Sequence, residues 1–457
     1  MRRYLLLVLI FWKTTMLAAQ PQSALQELLG TKGLEHAIVG ISIKQVTDGK
    51  ELVGHNARIS MTPASVAKLL PTWFSLQEKG ADYRYQTKVC YTGTICNGTL
   101  AGNIVIESGG DPTCNSRYFP RHDLLADIVE KLQEQGVREI NGQIIVEGAK
   151  AGTAIPGSWV WEDISNYYGA LYLPFNYRDN TYTLNFQTGA TGSPTKLLSV
   201  TPELPGIKFQ NETIAQGNKE DAWIYGGPYS SVLSIQGTLP INRSSVKIKG
   251  AMHYPAAAFI QELKKMLVQN GIRISNENCA DTNRIEFLCH HSPSLKEIVF
   301  HTNKVSVNLF AEALGSLIET GGSSWSEKVS SLLSEIGIDS QGIVLEDACG
   351  LSPKDVLPPQ VLTDLLVYIA KQGNADFVSS LPEAGKDGGL LGYCYSSPEL
   401  KNKMKAKTGS MSGVRALAGY LTAADGTQLA FTIIVNHYTC TVSQLQKAIG
   451  KFLSFFI

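Results

Sequence analysis

Residue patterning at the two ends of this chain differs from that of its middle, and the contrast limits what it can fold into. Ser23 to Leu29 has helical spacing, Ile38, Ile41 and Ile43 lie in a β-branched run, and Asp48-Gly49 marks a hairpin returning through Leu52 to His55. Ser65 then opens an apolar period that continues through Leu69, Leu70, Trp73 and Phe74 to Gly80, as a helix does. From Tyr83 to about Ile285 the chain shows short runs broken by Gly, Asn, Thr and Pro, with one clear helix from Ala256 to Asn270. Helical spacing returns from Leu295, over Asn308–Glu319, Trp325–Ile336 and Pro359–Gln372. Strands follow at Ala406–Gly409, Ala416–Thr422 and Gln428–Asn436, with Asp425-Gly426 joining the last two, and Ser443–Phe456 closes as a helix. The simplest architecture is one α+β domain whose halves are separated by an insertion of about 200 residues.

Composition narrows the function. Lys plus Arg and Asp plus Glu both total 40, so the net charge is zero and there is no basic footprint for nucleic acid. Arg2 and Arg3 precede an apolar run from Tyr4 to Trp12, and small residues at Ala18 and Ala19 precede a polar stretch. That run is too short to span a bilayer, which needs about 20 residues, and the pattern fits a secretory signal over residues 1–19. No other segment is apolar enough to cross a membrane, so no transmembrane segment is expected in the mature chain. Eight cysteines fit an oxidising compartment, and either Cys90 with Cys96 or Cys279 with Cys289 could close a local loop. The histidines show no zinc spacing, so no metal and no cofactor is assigned.

Three short motifs carry the chemistry. Ser65-Val66-Ala67-Lys68 is an S-x-x-K at the start of the first strong helix, and its spacing puts hydroxyl and amine on one face. A serine becomes a nucleophile when a base lies within hydrogen-bond reach, and a lysine serves if it is neutral. Burial and a second cation nearby lower its pKa. Copies at Ser193/Lys196 and Ser244/Lys247 lie in a loop and a strand-like run and read as chance. Ser306-Val307-Asn308 is an S-x-N before a helix, a pattern that a helix N-cap also explains. Lys407-Thr408-Gly409 lies in a strand, where a lysine and a hydroxyl can hold a carboxylate. Gly409 admits a second backbone, and a lysine-protected edge strand is the competing account.

In this order and in these contexts, the three motifs are the S-x-x-K, S-x-N and K-T-G set of penicillin-recognising serine enzymes. The chain resembles the penicillin-binding protein 4 class, D-alanyl-D-alanine carboxypeptidases/endopeptidases of the S13 peptidase family. Five further stretches are similar to that family's motifs: Gly109-Gly110-Asp111-Pro112-Thr113, Trp159-Val160-Trp161-Glu162-Asp163, Asn176-Tyr177-Arg178-Asp179-Asn180, Asp347-Ala348-Cys349-Gly350-Leu351-Ser352 and Ala384-Gly385-Lys386-Asp387-Gly388.

The resemblance implies a nucleophilic Ser65 with Lys68 as its base, Ser306 relaying a proton to the leaving amine, and Asn308 binding the peptide backbone. Lys407 and Thr408 would hold the terminal carboxylate, with Lys407 also depressing the Lys68 pKa. The backbone N–H groups of Ser65 and Ser410 would form an oxyanion hole. Asp163 would reach into the cleft toward the amine of the peptide's diamino acid, although an ordinary surface carboxylate is the alternative. Val307, Ala348 and Cys349 depart from the family's usual residues.

The expected fold is therefore an α+β, penicillin-recognising, β-lactamase-like domain: an antiparallel sheet with helices, interrupted by a β-rich insertion. The expected boundaries are 20–84 and 290–457 for the catalytic halves and 85–289 for the insertion. The implied activity is that of an exported, periplasmic serine D-Ala-D-Ala carboxypeptidase/endopeptidase. Its partners would be peptidoglycan stem peptides and, as covalent inhibitors, β-lactams. A β-lactamase or esterase on the same catalytic domain and a non-catalytic cell-wall binding or penicillin-sensing protein are the rival readings.

Overall fold

The computed structural model describes residues 21–148, 155–227, 229–275, 277, 279, 281–318, 324–395 and 397–457. The expected signal segment lies outside the described residues. The chain forms two compact units: one holds residues up to Glu78, Val299–Ser306 and Ile318–Ile457, the other Lys79–Ile298 and Val307–Leu317.

The first unit is built on an antiparallel sheet of five strands: β1 (Ile38–Gln45), β2 (Glu51–His55), β3 (Met404–Met411), β4 (Val414–Thr422) and β5 (Gln428–Asn436), in the order β3-β4-β5-β1-β2. The two ends of the chain meet in this sheet, because β1 pairs with β5 from Ile38↔Asn436 to Gln45↔Leu429. Such a pairing follows from two β-branched runs that each need a partner and that bury Val39, Ile41, Ile43, Phe431, Ile433 and Val435 on one face. That face packs against the helix at 21–29 and the helix Val442–Ser454 through Leu25, Leu28, Leu445, Ile449 and Leu453. On the opposite face lies the helix Pro359–Lys371. There Thr363 Oγ1 donates to Thr432 Oγ1 at 3.0 Å, and Tyr420 Oη donates to the Leu366 carbonyl at 2.8 Å.

The second unit is turn-rich and mostly β, with four small sheets around one core. Its longest helix, Pro255–Gln269, follows the expected span within a residue at each end and buries Phe259, Leu263 and Leu267. A second helix, Leu124–Glu134, was not expected in this texture. It buries Leu124, Leu125, Ile128, Val129 and Leu132, and the Asp123 side chain caps it by accepting from the Ala126 N–H. Both signals, an Asp N-cap and apolar i, i+4 spacing, are present in the sequence but are masked by the surrounding glycines and asparagines.

All eight cysteines are free, so neither the Cys90/Cys96 nor the Cys279/Cys289 loop is bridged. Among the described residues, no helix is long and apolar enough to cross a membrane.

Candidate active site

The segment expected as one helix from Ser65 divides in two. Ala64–Lys68 is a 3₁₀ turn, and the α-helix begins at Leu69. A 3₁₀ turn has three residues per turn, so side chains at i and i+3 eclipse. Lys68 therefore sits directly over Ser65, and its Nζ donates to Ser65 Oγ at 2.8 Å.

Long-range contacts hold this turn. Asn436, at the end of β5, clamps the preceding backbone by accepting from the Thr62 N–H at 3.0 Å and donating to the Thr62 carbonyl at 3.1 Å. Lys68 Nζ also donates to the Cys349 carbonyl at 2.5 Å. That carbonyl sits in a loop shaped by the buried Asp347, whose carboxylate accepts from the N–H groups of Gly350, Leu351 and Ser352. Gly350 has φ +75°, and a methyl there would lie 2.1 Å from the Ala64 carbonyl oxygen, so only glycine lets the loop approach. Asn436 reaches a residue 374 positions away, whereas Asp347 shapes its own loop, and only Asp347 carries a prior signal, through its motif.

Lys407 lies on β3, the edge strand of the sheet, and is buried. Its Nζ donates to Ser306 Oγ at 2.9 Å and to the Thr408 carbonyl at 2.8 Å. Burial, and after it the Lys68 charge, hold the Lys407 ammonium well below the usual lysine range. Ser306 itself has φ +61°, a left-handed conformation that is strained in a residue with a Cβ. At Gly409 a methyl would stand 2.7 Å from the Pro63 carbonyl oxygen and 3.1 Å from the Ser65 nitrogen, so β3 runs close against the turn that carries Ser65. Thr408 and Ser410 continue the same strand. The first unit thus brings together Ser65, Lys68, Ser306, Lys407, Thr408, Gly409 and Ser410.

Asn308 and Asp163 belong to the second unit. Asn308 is the first residue of the helix Asn308–Ile318, and its Nδ2 donates to the Tyr168 carbonyl at 2.7 Å. Tyr168 in turn hydrogen-bonds Asp163 through its side chain. Burial, reinforced by the Glu162 charge, pushes the half-buried Asp163 carboxyl above its ordinary range, against that hydrogen bond. Tyr168 therefore connects Asn308 to Asp163, although no motif marks it in the sequence.

A buried lysine on a serine, a second buried lysine on another serine and a glycine-bearing edge strand define a serine acyl-transfer site of the penicillin-recognising type. The comparisons place it more closely. The chain belongs to the D-Ala-D-Ala carboxypeptidase 3 (S13) family, whose profile matches residues 21–454, and it is a serine peptidase of that family. It is similar to the D-alanyl-D-alanine carboxypeptidase DacB of Haemophilus influenzae, 24% identical over 427 residues, which are 89% of this chain and 86% of that protein. The D-alanyl-D-alanine carboxypeptidase of an Actinomadura species is 27% identical over 448 residues, 90% of this chain and 80% of the relative. The fold is similar to that of penicillin binding protein 4 from Haemophilus influenzae, with TM-score 0.79, 22% identity and coverage of 95% of this chain and 99% of that one. That protein has also been solved complexed with a β-lactam.

Proposed function

We propose that this chain is an exported, periplasmic D-Ala-D-Ala carboxypeptidase and D,D-endopeptidase of peptidoglycan stem peptides. It works through an acyl-enzyme at Ser65. The observation that carries this reading is the pair of buried lysines, Lys68 on Ser65 Oγ and Lys407 on Ser306 Oγ, in one unit. Membership of the D-Ala-D-Ala carboxypeptidase 3 (S13) family supports the substrate class, and the β-lactam complex of the Haemophilus influenzae protein supports inhibition by β-lactams. We also read the interruption of the catalytic domain by residues 85–289 as the reason its two halves lie so far apart in sequence.

In this reading Ser65 Oγ attacks the carbonyl of the D-Ala-D-Xaa bond while its proton passes to neutral Lys68. The N–H groups of Ser65 and Ser410 stabilise the oxyanion that forms. Ser306 carries a proton to the departing amine, and the C–N bond breaks. Water then attacks the ester and regenerates Ser65. Lys407 and Thr408 hold the terminal carboxylate, Gly409 lets β3 lie close enough to do so, Asn308 holds the peptide backbone, and Asp163 meets the amine of the diamino acid. Two close lysines resist carrying two charges, so the charge favoured near the substrate carboxylate leaves the other amine free to act as base.

The test is labelling by fluorescent penicillin together with mass-resolved products from cross-linked and uncross-linked muropeptides. The wild-type chain should form a long-lived adduct and release D-Ala, and Ser65→Ala should do neither. Labelling that survives Ser65→Ala removes Ser65 as nucleophile. Rapid penicillin turnover without an adduct would instead make the chain a β-lactamase, and muropeptide binding without D-Ala release would make it a binding protein.

A further inference from the structure

A cationic surface in the second unit is absorbed by none of the roles above. Arg117 is exposed but held in place: its backbone N–H and its Nε meet Asp179, the latter at 3.5 Å, and its Nη2 donates to Tyr118 Oη at 2.7 Å. The guanidinium also lies 4.7 Å over the Tyr118 ring. Beneath it the Asp179 carboxylate is buried and already accepts from Ser116 Oγ.

The backbone that places Asp179 is strained. Arg178, Asp179 and Asn180 have φ of +52°, +57° and +47°, three left-handed residues in succession. Such strain persists only where the surroundings over-determine it. Here Asn180 Nδ2 donates to the Leu171 carbonyl and to Asn176 Oδ1, both at 2.8 Å, and Asn180 Oδ1 accepts from the Tyr177 N–H at 2.9 Å.

Lys249 supplies a second cation at the same place. It lies on the strand Val246–Ala251, paired with Thr183, and its neighbour Gly250 bridges to Asn166. It is thereby placed between the turn at Asp179 and the loop that carries Asp163, Tyr167 and Tyr168. Its Nζ has no hydrogen-bond or ion-pair partner among the described residues. Burial and the Arg117 charge hold it below the usual lysine range, with Asp179 offsetting only part of that. Two cations thus share one saturated carboxylate, and the surplus positive charge faces solvent.

The position ties this patch to Asn308 within the same unit. Tyr118 packs edge-on against Phe310 at 5.7 Å, two residues beyond Asn308, and Tyr167 packs edge-on against Tyr168, whose carbonyl accepts from Asn308.

We propose that Arg117 and Lys249 form an anion subsite that takes a non-terminal carboxylate of the stem peptide. The inference rests on the reading of function above. A stem peptide offers such a carboxylate at its γ-linked glutamate and, in some cell walls, at its diamino acid; both present the same planar anion to the subsite. A planar guanidinium whose Nη1 has no hydrogen-bond partner among the described residues, with an ammonium nearby, suits a carboxylate better than a neutral amide.

The test compares D-Ala release from peptides that differ only in one carboxylate being free or amidated, at the glutamate in one arm and at the diamino acid in the other. The wild-type enzyme should prefer the free acid in one arm by about tenfold in kcat/KM, expressed in KM, as a partly exposed charge pair allows. That arm identifies the source of the carboxylate. Lys249→Glu should erase the preference, and high salt should shrink it. Fluorescent-penicillin labelling of the variant verifies that the Ser65 site is formed. A wild-type enzyme indifferent to amidation in both arms, or a variant that keeps the preference, overturns the subsite. A wild-type enzyme that releases D-Ala from none of the peptides overturns the reading of function beneath it.

Discussion

Lys68 and Lys407 have different partners, and the difference yields separate predictions. Lys68 bonds Ser65 Oγ and the Cys349 carbonyl, so Lys68→Ala should leave the fold intact while slowing penicillin acylation by about 10²–10⁴, the usual worth of a positioned base. Stopped-flow acylation with a chromogenic β-lactam measures it. Lys407 is buried with its pKa lowered by burial and by Lys68. Below that folded-state pKa both the folded and unfolded chains hold the proton, and the folded state bears the full cost of a buried ammonium. Between it and the unfolded value of about 10.4, the unfolded chain binds more protons, so stability rises with pH. Lys407→Met should therefore raise the Tm at neutral pH by about 2–4 °C for each kcal/mol relieved, with the gain shrinking toward alkaline pH, while D-Ala release falls. At this scale Ser65, Lys68, Ser306 and Lys407 were legible because short motifs mark them. Asn436 and Tyr168 were not, because each acts through a partner more than a hundred residues away.

Helices and strands were read well wherever apolar spacing was long and regular, as in β1, β5 and Pro359–Lys371. The pattern did not reveal that the first strong helix opens as a 3₁₀ turn. Its helical period is intact from Ser65, and the departure is imposed by Ala64 at φ +47° and by Gly350 pressed against the Ala64 carbonyl. Gly350→Ala should destabilise the first unit by about 2–4 kcal/mol, because it adds a methyl at a left-handed position with backbone 2.1 Å away. Urea unfolding reads the loss, and slower acylation should accompany it because Lys68 leans on the same loop. Gly409→Ala tests the other side of the turn and should slow acylation with a smaller loss of stability, since its nearest contact is 2.7 Å.

At the scale of the whole molecule, one buried histidine gives the second unit an acid-sensitive contribution to its stability. His253 is buried, and burial depresses its pKa to about 4. The unfolded histidine titrates near 6.5, so as pH falls from 6.5 to 4 the unfolded chain gains a proton that the folded unit refuses, and about 3 kcal/mol of stability is lost. His253→Leu should flatten that loss, seen as a smaller drop in urea midpoint between pH 7 and pH 4. Periodicity and turn residues were enough to show an α+β chain with a β-rich middle, and three motifs were enough to point to serine acyl transfer, because both signals are local. The pairing of β1 with β5 and the setting of Lys68 beside a loop 281 residues away were decided only in three dimensions, as was the reach of Lys407 to Ser306 across 101 residues. Burial, charge and hydrogen bonding act between whatever surfaces the fold brings together, and no local pattern encodes which surfaces those will be.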